Sequence, residues 1–400
     1  MMQHIPATRP EEPVRPAVRG VAPLAAAFPG VRRIAVLRGG GLGDLMFALP
    51  AIEALAAAYP QASITLLGTA LHAALLAGRP GPVDRVEVLP PAPGIQAGRE
   101  DRQVTEAFTA RMRGQEFDLA VQVHGGGRNS NPFLLALGAR HTVGTRTPDA
   151  AALERSIPYV YYQHEVFRAL EVAGLAGAAP VSLDAALAVL PEEQEQARAL
   201  LLPDRPLVTL HPGATDPRRR WPASSFAEVA AQAAADGCQV LVVGDDGDRE
   251  AARQITGLAL AAAGTEAPVR SLAGELGIGT LAAVLQASAV VVGNDSGPRH
   301  LAQAVGARTV GIYWFGNVIN AGAPGRSRHR VHMSWLSACP VCKADVTQVG
   351  WTAERCEHND SFVAEVRPGE VWADVAELLE ADGGNRATPA RAAGSGFTVT

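Results

Sequence analysis

Residues 33–44, RIAVLRGGGLGD, run from an apolar stretch through four glycines to an acidic residue. Residues 33–38 read as a strand, and residues 45–59 that follow are helical in pattern, with Pro50 expected to kink the helix or reset its first turn. A strand that turns on glycine directly into a helix is the opening unit of a parallel sheet with crossover helices. Working outward, residues 63–67 (SITLL), 85–89 (RVEVL) and 119–123 (LAVQV) read as further strands, with a loop over 91–103 and a helix over 105–113. After Pro203-Asp204-Arg205-Pro206 a second series begins, with strands at 207–210, 239–243, 269–271, 289–292 and 309–312. Helical stretches at 224–236, 247–262, 279–287 and 298–305 separate them. The reading is therefore α/β with two Rossmann-like domains. They span residues 31–195 and 205–367, followed by a helix at 368–382, between disordered tails at 1–30 and 383–400.

Bulk properties narrow the function. A chain of 400 residues suits two α/β cores better than one, and its 48% apolar and 19% charged content is that of a globular protein. A net charge of −5 gives no basic field for nucleic acid. No apolar run reaches the length of a spanning helix, and the first twenty residues, with Glu and several Pro, lack the apolar core of a signal peptide. A cytoplasmic protein is expected, compatible with peripheral docking at the inner face of the membrane. Its four cysteines include Cys238, which opens an apolar run and reads as a buried thiol.

The glycine turn does not fit a dinucleotide fingerprint. Counting from Gly39, the required third glycine falls on Asp44, and counting from Gly41 it falls on Met46. The second strand also ends in Gly68-Thr69-Ala70, without an acid for the ribose. Instead, the turn presents the Asp44 carboxylate at a strand exit, where open α/β folds bind ligands. Asp44 can act as a general base or as a helix cap, and the two roles are compatible.

Three segments of the second half are candidates for binding phosphate or ribose. Residues 207–216 (LVTLHPGATD) lead into Arg218, Arg219 and Arg220, which either neutralise a diphosphate or form a solvated basic loop. Residues 290–301 (VVVGNDSGPRHL) pass from a buried strand through a small-residue loop to a helix with proline near its start, a turn whose free N–H groups favour an anion. Asp295 would oppose a phosphate lying directly on it and is better suited to orient the loop or contact a sugar hydroxyl. His300 either donates to phosphate or is a satisfied structural histidine. Finally, Gly244-Asp245-Asp246-Gly247-Asp248 offers a carboxylate for a ribose, or a cap through Asp248.

Cys339-Pro-Val-Cys342, followed by Cys356-Glu-His358, supplies a Cys₃His set suited to structural zinc, with free thiols or a redox pair as the alternatives. All four lie in one segment and would close the metal's coordination shell, so no catalytic metal is implied.

Together, GGGLGD, LHPGATDPRRRWP and GNDSGPRHLA, in that order, resemble glycosyltransferase family 9, the bacterial heptosyltransferases, over residues 31–380. The resemblance implies a GT-B fold, with acceptor on the first domain, nucleotide-sugar on the second, a final helix crossing back to the first, and inverting transfer without a catalytic metal. It also implies Asp44 as base and Arg38 on the acceptor side. Thr215, Arg219, Asp248, Asp295, Ser296, Gly297 and His300 fall around the donor, Arg219 standing where the family has lysine, and residues 274–277 lie against the base. The implied partners are a nucleoside-diphosphate sugar, with ADP-heptose as the family's donor, and a glycan or glycolipid acceptor. A sugar-nucleotide epimerase or hydrolase would process the donor alone, and a non-catalytic binding protein would turn over nothing.

Overall fold

The computed structural model describes residues 21, 24–347 and 354–386. Most of the two expected tails lies outside these residues, but their inner edges belong to the fold. Phe28 is buried, its N–H donates to the Tyr59 hydroxyl (3.0 Å), and its ring stacks on His141 (4.0 Å).

The first half contains β1 (Arg33–Leu37), α1 (Leu42–Ala58), β2 (Ser63–Gly68), α2 (Ala70–Leu76), β3 (Arg85–Val88), α3 (Arg102–Arg113), β4 (Leu119–Gln122), α4 (Ser130–Ala136), β5 (His141–Arg146) and β6 (Arg155–Pro158). Two helices, α5 (Glu165–Leu175) and α6 (Pro191–Arg198), lead to the second half. There follow β7 (Leu207–His211), α7 (Ala223–Ala235), β8 (Gln239–Val242), α8 (Arg249–Ala263), β9 (Val269–Ser271), α9 (Ile278–Ala287), β10 (Val290–Asn294), α10 (Gly297–Ala304), β11 (Arg308–Trp314), α11 (Phe315–Ala321), β12 (His329–Ser334) and α12 (Pro368–Arg386).

These strands form two six-stranded sheets, ordered β3-β2-β1-β4-β5-β6 and β12-β11-β10-β7-β8-β9, with every pairing parallel. β1 lies between β2 and β4, with Ile34 beside Ile64 and Leu119, and carries aliphatic residues on both faces because helices cover both: Ile34 and Val36 cluster with α1 and α5, Ala35 and Leu37 with α3 and α4. β10 is flanked in the same way by β7 and β11, with Val290 beside Val208 and Arg308. Strand order reverses between β1 and β4 and again between β7 and β10. The crevice that such a reversal opens beyond the strand ends is where open α/β sheets bind ligands.

Several expectations are corrected. β5, β6 and β12 join the expected strands, their polar residues (HTVGTR, RSIP, HRVHMS) having blunted the hydrophobic signal. Pro50 lies inside α1, which runs through it as one helix. α6, which lies in the connection between the two series, packs on α9 and pairs with the first half through Glu193 and Arg79 (2.6 Å). α12 extends to Arg386. Val371, Val375 and Leu378 enter the second sheet's core, and the helix packs on α7, β10 and β11 rather than crossing back.

Candidate active site

The two crevices face each other, and small residues let them close up. A side chain at Gly297 would meet Leu42 Cβ at 2.8 Å and the Gly43 nitrogen at 3.3 Å, and one at Gly43 would meet His300 Cδ2 at 3.2 Å. Glycine at both positions therefore brings the N-termini of α1 and α10 into contact. The seam beneath is apolar, with Leu301, Ala302 and Val305 joining Leu45, Met46 and Leu49 in one buried cluster.

On the first side, Asp44 sits three residues into α1's opening turn. Its Oδ2 accepts the Gly41 N–H (2.8 Å) and its Oδ1 accepts from Arg38 Nη2 (2.5 Å), yet the side chain remains 43% exposed. It thus caps the helix while keeping a face open to solvent. Arg38 is buried and also bonded to the Val123 carbonyl and to Glu165 Oε2 (3.2 Å). Burial alone would lower its pKa, but the charges of Asp44 and Glu165 raise it above the usual arginine value. Glu165 also pairs with Arg168, whose guanidinium lies over the Tyr159 ring. The glycine turn is bracketed by His72, whose Nε2 meets the Gly41 carbonyl (3.0 Å), and His124, whose Nε2 meets the Gly94 carbonyl (2.9 Å). Burial lowers the pKa of both rings. Glu165, His72 and His124 were not singled out from the sequence, since each reaches the turn from a remote segment.

On the second side, the loop after β10 closes around Asp295. Its carboxylate is buried and accepts from His300 Nε2 (3.1 Å) and Arg219 Nη1 (3.1 Å). Burial alone would push this carboxyl up, but the His300 hydrogen bond and the charges around it bring it down to about 2. Burial and the nearby Arg299 charge hold His300 down to about 4, so the ring is neutral near pH 7. Both its nitrogens are engaged within the protein, by Asp295 and Arg299. Ser296 Oγ meets His211 Nδ1 (3.0 Å), and Gly297 opens α10. Buried Asn294 joins the exits of β7 and β10, accepting the Trp221 N–H (3.0 Å) and donating to the Pro212 carbonyl (2.7 Å).

The arginine run divides. Arg218 is buried and chelates Asp216, and Arg220 is exposed with its Nε on the Ala214 carbonyl (2.9 Å). Of the three, Arg219 reaches the Asp295 loop, and Thr215, in the turn after β7, is exposed. Asp248 is buried. Its Oδ2 accepts the Asp245 N–H (3.2 Å) and lies 3.7 Å from His211 Nε2, beneath Gly213 and Gly244, whose missing side chains leave it room. Its side chain does not cap α8. At residues 274–277, Arg249 Nη2 donates to the Gly274 carbonyl (2.8 Å).

A cavity of about 380 Å³ opens between the halves, lined by Tyr159, Tyr161 and Glu165 from the first and by Arg219, Trp314 and Asn320 from the second. Beside it, the ligand atoms of Cys339, Cys342, Cys356 and His358 lie within 4.8 Å of one another. Backbone N–H groups, that of Cys342 first, donate to Cys339 Sγ and bring the thiol down to about 7. His358 Nδ1 is buried without a hydrogen-bond partner. Cys238 is a buried free thiol, as expected.

Two parallel α/β sheets that meet across a cleft, each offering its strand-order crevice to it, form the arrangement of the GT-B glycosyltransferases. The profile of glycosyltransferase family 9 (heptosyltransferase) matches residues 105–337, more than half of the chain, and the chain belongs to that family of glycosyltransferases. It is 38% identical over 113 residues to lipopolysaccharide heptosyltransferase 2 of Escherichia coli K12, a stretch that covers 28% of this chain and 31% of that relative's length. The crystal structure of a family 9 glycosyltransferase from Veillonella parvula superposes with a TM-score of 0.69 at 19% identity, over 88% of this chain and 97% of that one. The structure of E. coli ADP-heptose lps heptosyltransferase II gives 0.68 at 23% identity, over 88% and 99%. Among the described residues no helix is long and apolar enough to cross a membrane.

Proposed function

We propose that this glycosyltransferase moves a heptosyl group from ADP-heptose to a hydroxyl of a lipopolysaccharide core acceptor, with inversion and with Asp44 as general base. The observation that carries the reading is the half-exposed Asp44 carboxylate, fixed by Arg38 and the Gly41 N–H, opposite a cationic loop at the second crevice. The acceptor oxygen bonds to the anomeric carbon as the bond from that carbon to the diphosphate breaks. Asp44 takes the hydroxyl proton late in that step. Arg219, Ser296 and the free N–H groups at the start of α10 receive the charge that develops on the leaving diphosphate. Thr215 and Asp248 belong to the donor side in this reading, and Arg38 to the acceptor side. The protein works in the cytoplasm, docking at the inner membrane face when the acceptor carries a lipid. The test is thermal stabilisation by a panel of ADP-, UDP- and GDP-sugars, followed by transfer to heptose-deficient lipopolysaccharide. Stabilisation by ADP-heptose and an extended acceptor are expected. Breakdown of donor with no extended product would overturn the reading in favour of a hydrolase or epimerase.

The Cys₃His group fits a tetrahedral ion, and we assign it structural zinc. Its support is the close approach of four soft or borderline ligand atoms and the orphaned Nδ1 of His358. The shell is closed by protein, so zinc there would brace the loop beside the cleft and take no part in transfer. Metal analysis of protein purified under reducing conditions is expected to find one zinc per chain. Stoichiometric iron, or no metal, would refute the assignment.

A further inference from the structure

Asp295 poses a problem that the donor reading leaves open. A carboxylate in the loop that receives a diphosphate repels it, and pairing with Arg219 also consumes the one arginine of the run that reaches that loop. Behind the loop, on α10, lies a residue that the transfer step does not use. Arg299 is the bulkiest fully buried side chain among the described residues. Its guanidinium carbon lies 4.7 Å from the Tyr313 ring centroid, its Nη2 lies 3.0 Å from both nitrogens of His300 and 3.9 Å from Asp295 Oδ1, and its Nε has no hydrogen-bond partner. A guanidinium does not give up its proton in a protein, so this is a permanent positive charge inside the fold. Such burial is expensive unless the charge is paired, and the nearest carboxylate is Asp295.

We propose that Arg299 is a positioning residue for the donor loop, supplying the countercharge to Asp295 so that Arg219 keeps its own charge for the diphosphate. The inference rests on the donor reading above. With His300 neutral, Asp295 contributes one negative charge and the two arginines one positive charge each, which leaves the loop singly positive. The aromatic wall of Tyr313 accepts the face of the guanidinium and fixes its plane. The groups facing His300 are consistent with this count: Asp295 from the loop, Arg299 and Gln303 from α10, and the ring of Phe47 from α1.

The test is calorimetric binding of ADP and of adenosine to the full-length protein and to Arg299→Met, Arg299→Gln and Arg299→Lys. Arg299→Met and Arg299→Gln are expected to lose on the order of tenfold in affinity for ADP, while adenosine changes by about twofold or less, since only the charged ligand feels the missing cation. Arg299→Lys should keep the parent's ADP-to-adenosine ratio. The two neutral variants differ in shape, so either one reports if the other does not fold. A purely structural role predicts equal losses for ADP and adenosine, and that outcome, or unchanged ADP affinity, overturns the assignment. A parent protein that binds no ADP overturns instead the donor reading on which the assignment stands.

Discussion

Asp44 and Asp295 both stand beside the strand-order reversal of their own half, Asp44 in the first turn of the helix that follows β1 and Asp295 in the loop that follows β10. Their surroundings are opposite. Asp44 is half exposed and bonded to one arginine and one backbone N–H, leaving one face of the carboxylate open to solvent. Asp295 is buried, with Arg219, Arg299 and His300 around it and no open face. A carboxylate with free surface can take a proton from a ligand, whereas one enclosed by two arginines and a histidine is held ionised and fixed in its loop. The residue type was the same, and the company it keeps decides its chemistry.

The comparison breaks most sharply at Asp44. Asp44→Asn keeps the cap geometry but removes the base, and should lower transfer by about 10²–10⁴-fold with ADP affinity preserved. Near-parent turnover would mean that the two aspartates do not differ in the way described. Arg219→Ala should act on the other half, weakening ADP binding by roughly 10–100-fold through the lost charge-assisted contact. Titration calorimetry reads that directly, and an effect confined to turnover would count against a donor role.

A third prediction concerns pH. Burial and the neighbouring arginine charges hold His300 and His329 down to about 4 in the fold, against an ordinary 6.5. As pH falls, the unfolded chain takes up these protons first. The stability contributed is therefore whole above 6.5 and is lost progressively down to about 4. Asp295 adds a loss of the same sign between 3.8 and about 2. Melting temperature should decline through the first window, and His300→Gln should flatten that decline; a slope of unchanged steepness in the variant contradicts the neutral-ring assignment. The smallest effect is expected for Ser296→Ala, which deletes the bond to His211 Nδ1 and should cost about 0.5–1.5 kcal/mol in ADP binding.

Much of the fold was legible in the chain because the central strands are buried on both faces and read as continuous apolar runs. The edge strands β6 and β12, and β5 beside β6, were not, since their polar residues interrupt the apolar run, in β5 even where they are buried, and their pairing is set by the neighbour already in place. In the site, the residues visible from sequence are those clustered in short motifs, such as Asp44 after its glycines or residues 294–300. Glu165 lies 127 residues from the Arg38 it pairs with, and Asn294 is 73 from Trp221. No local pattern announces such pairs. Within the arginine run, too, neighbours in sequence part in space, the turn sending Arg218 to Asp216 and Arg219 to Asp295.

The sequence by itself determined two parallel α/β sheets, the loops that leave their central strands, the failure of the dinucleotide fingerprint, and a cysteine-histidine segment with metal-ligand chemistry. Those follow from short-range patterns of apolarity, glycine and donor type. Only the tertiary structure decided which charges are buried, which carboxylate stays open, and that Gly43 and Gly297 let the two crevices touch. Burial and long-range pairing set the energy of a charge, and both depend on segments far apart in the chain.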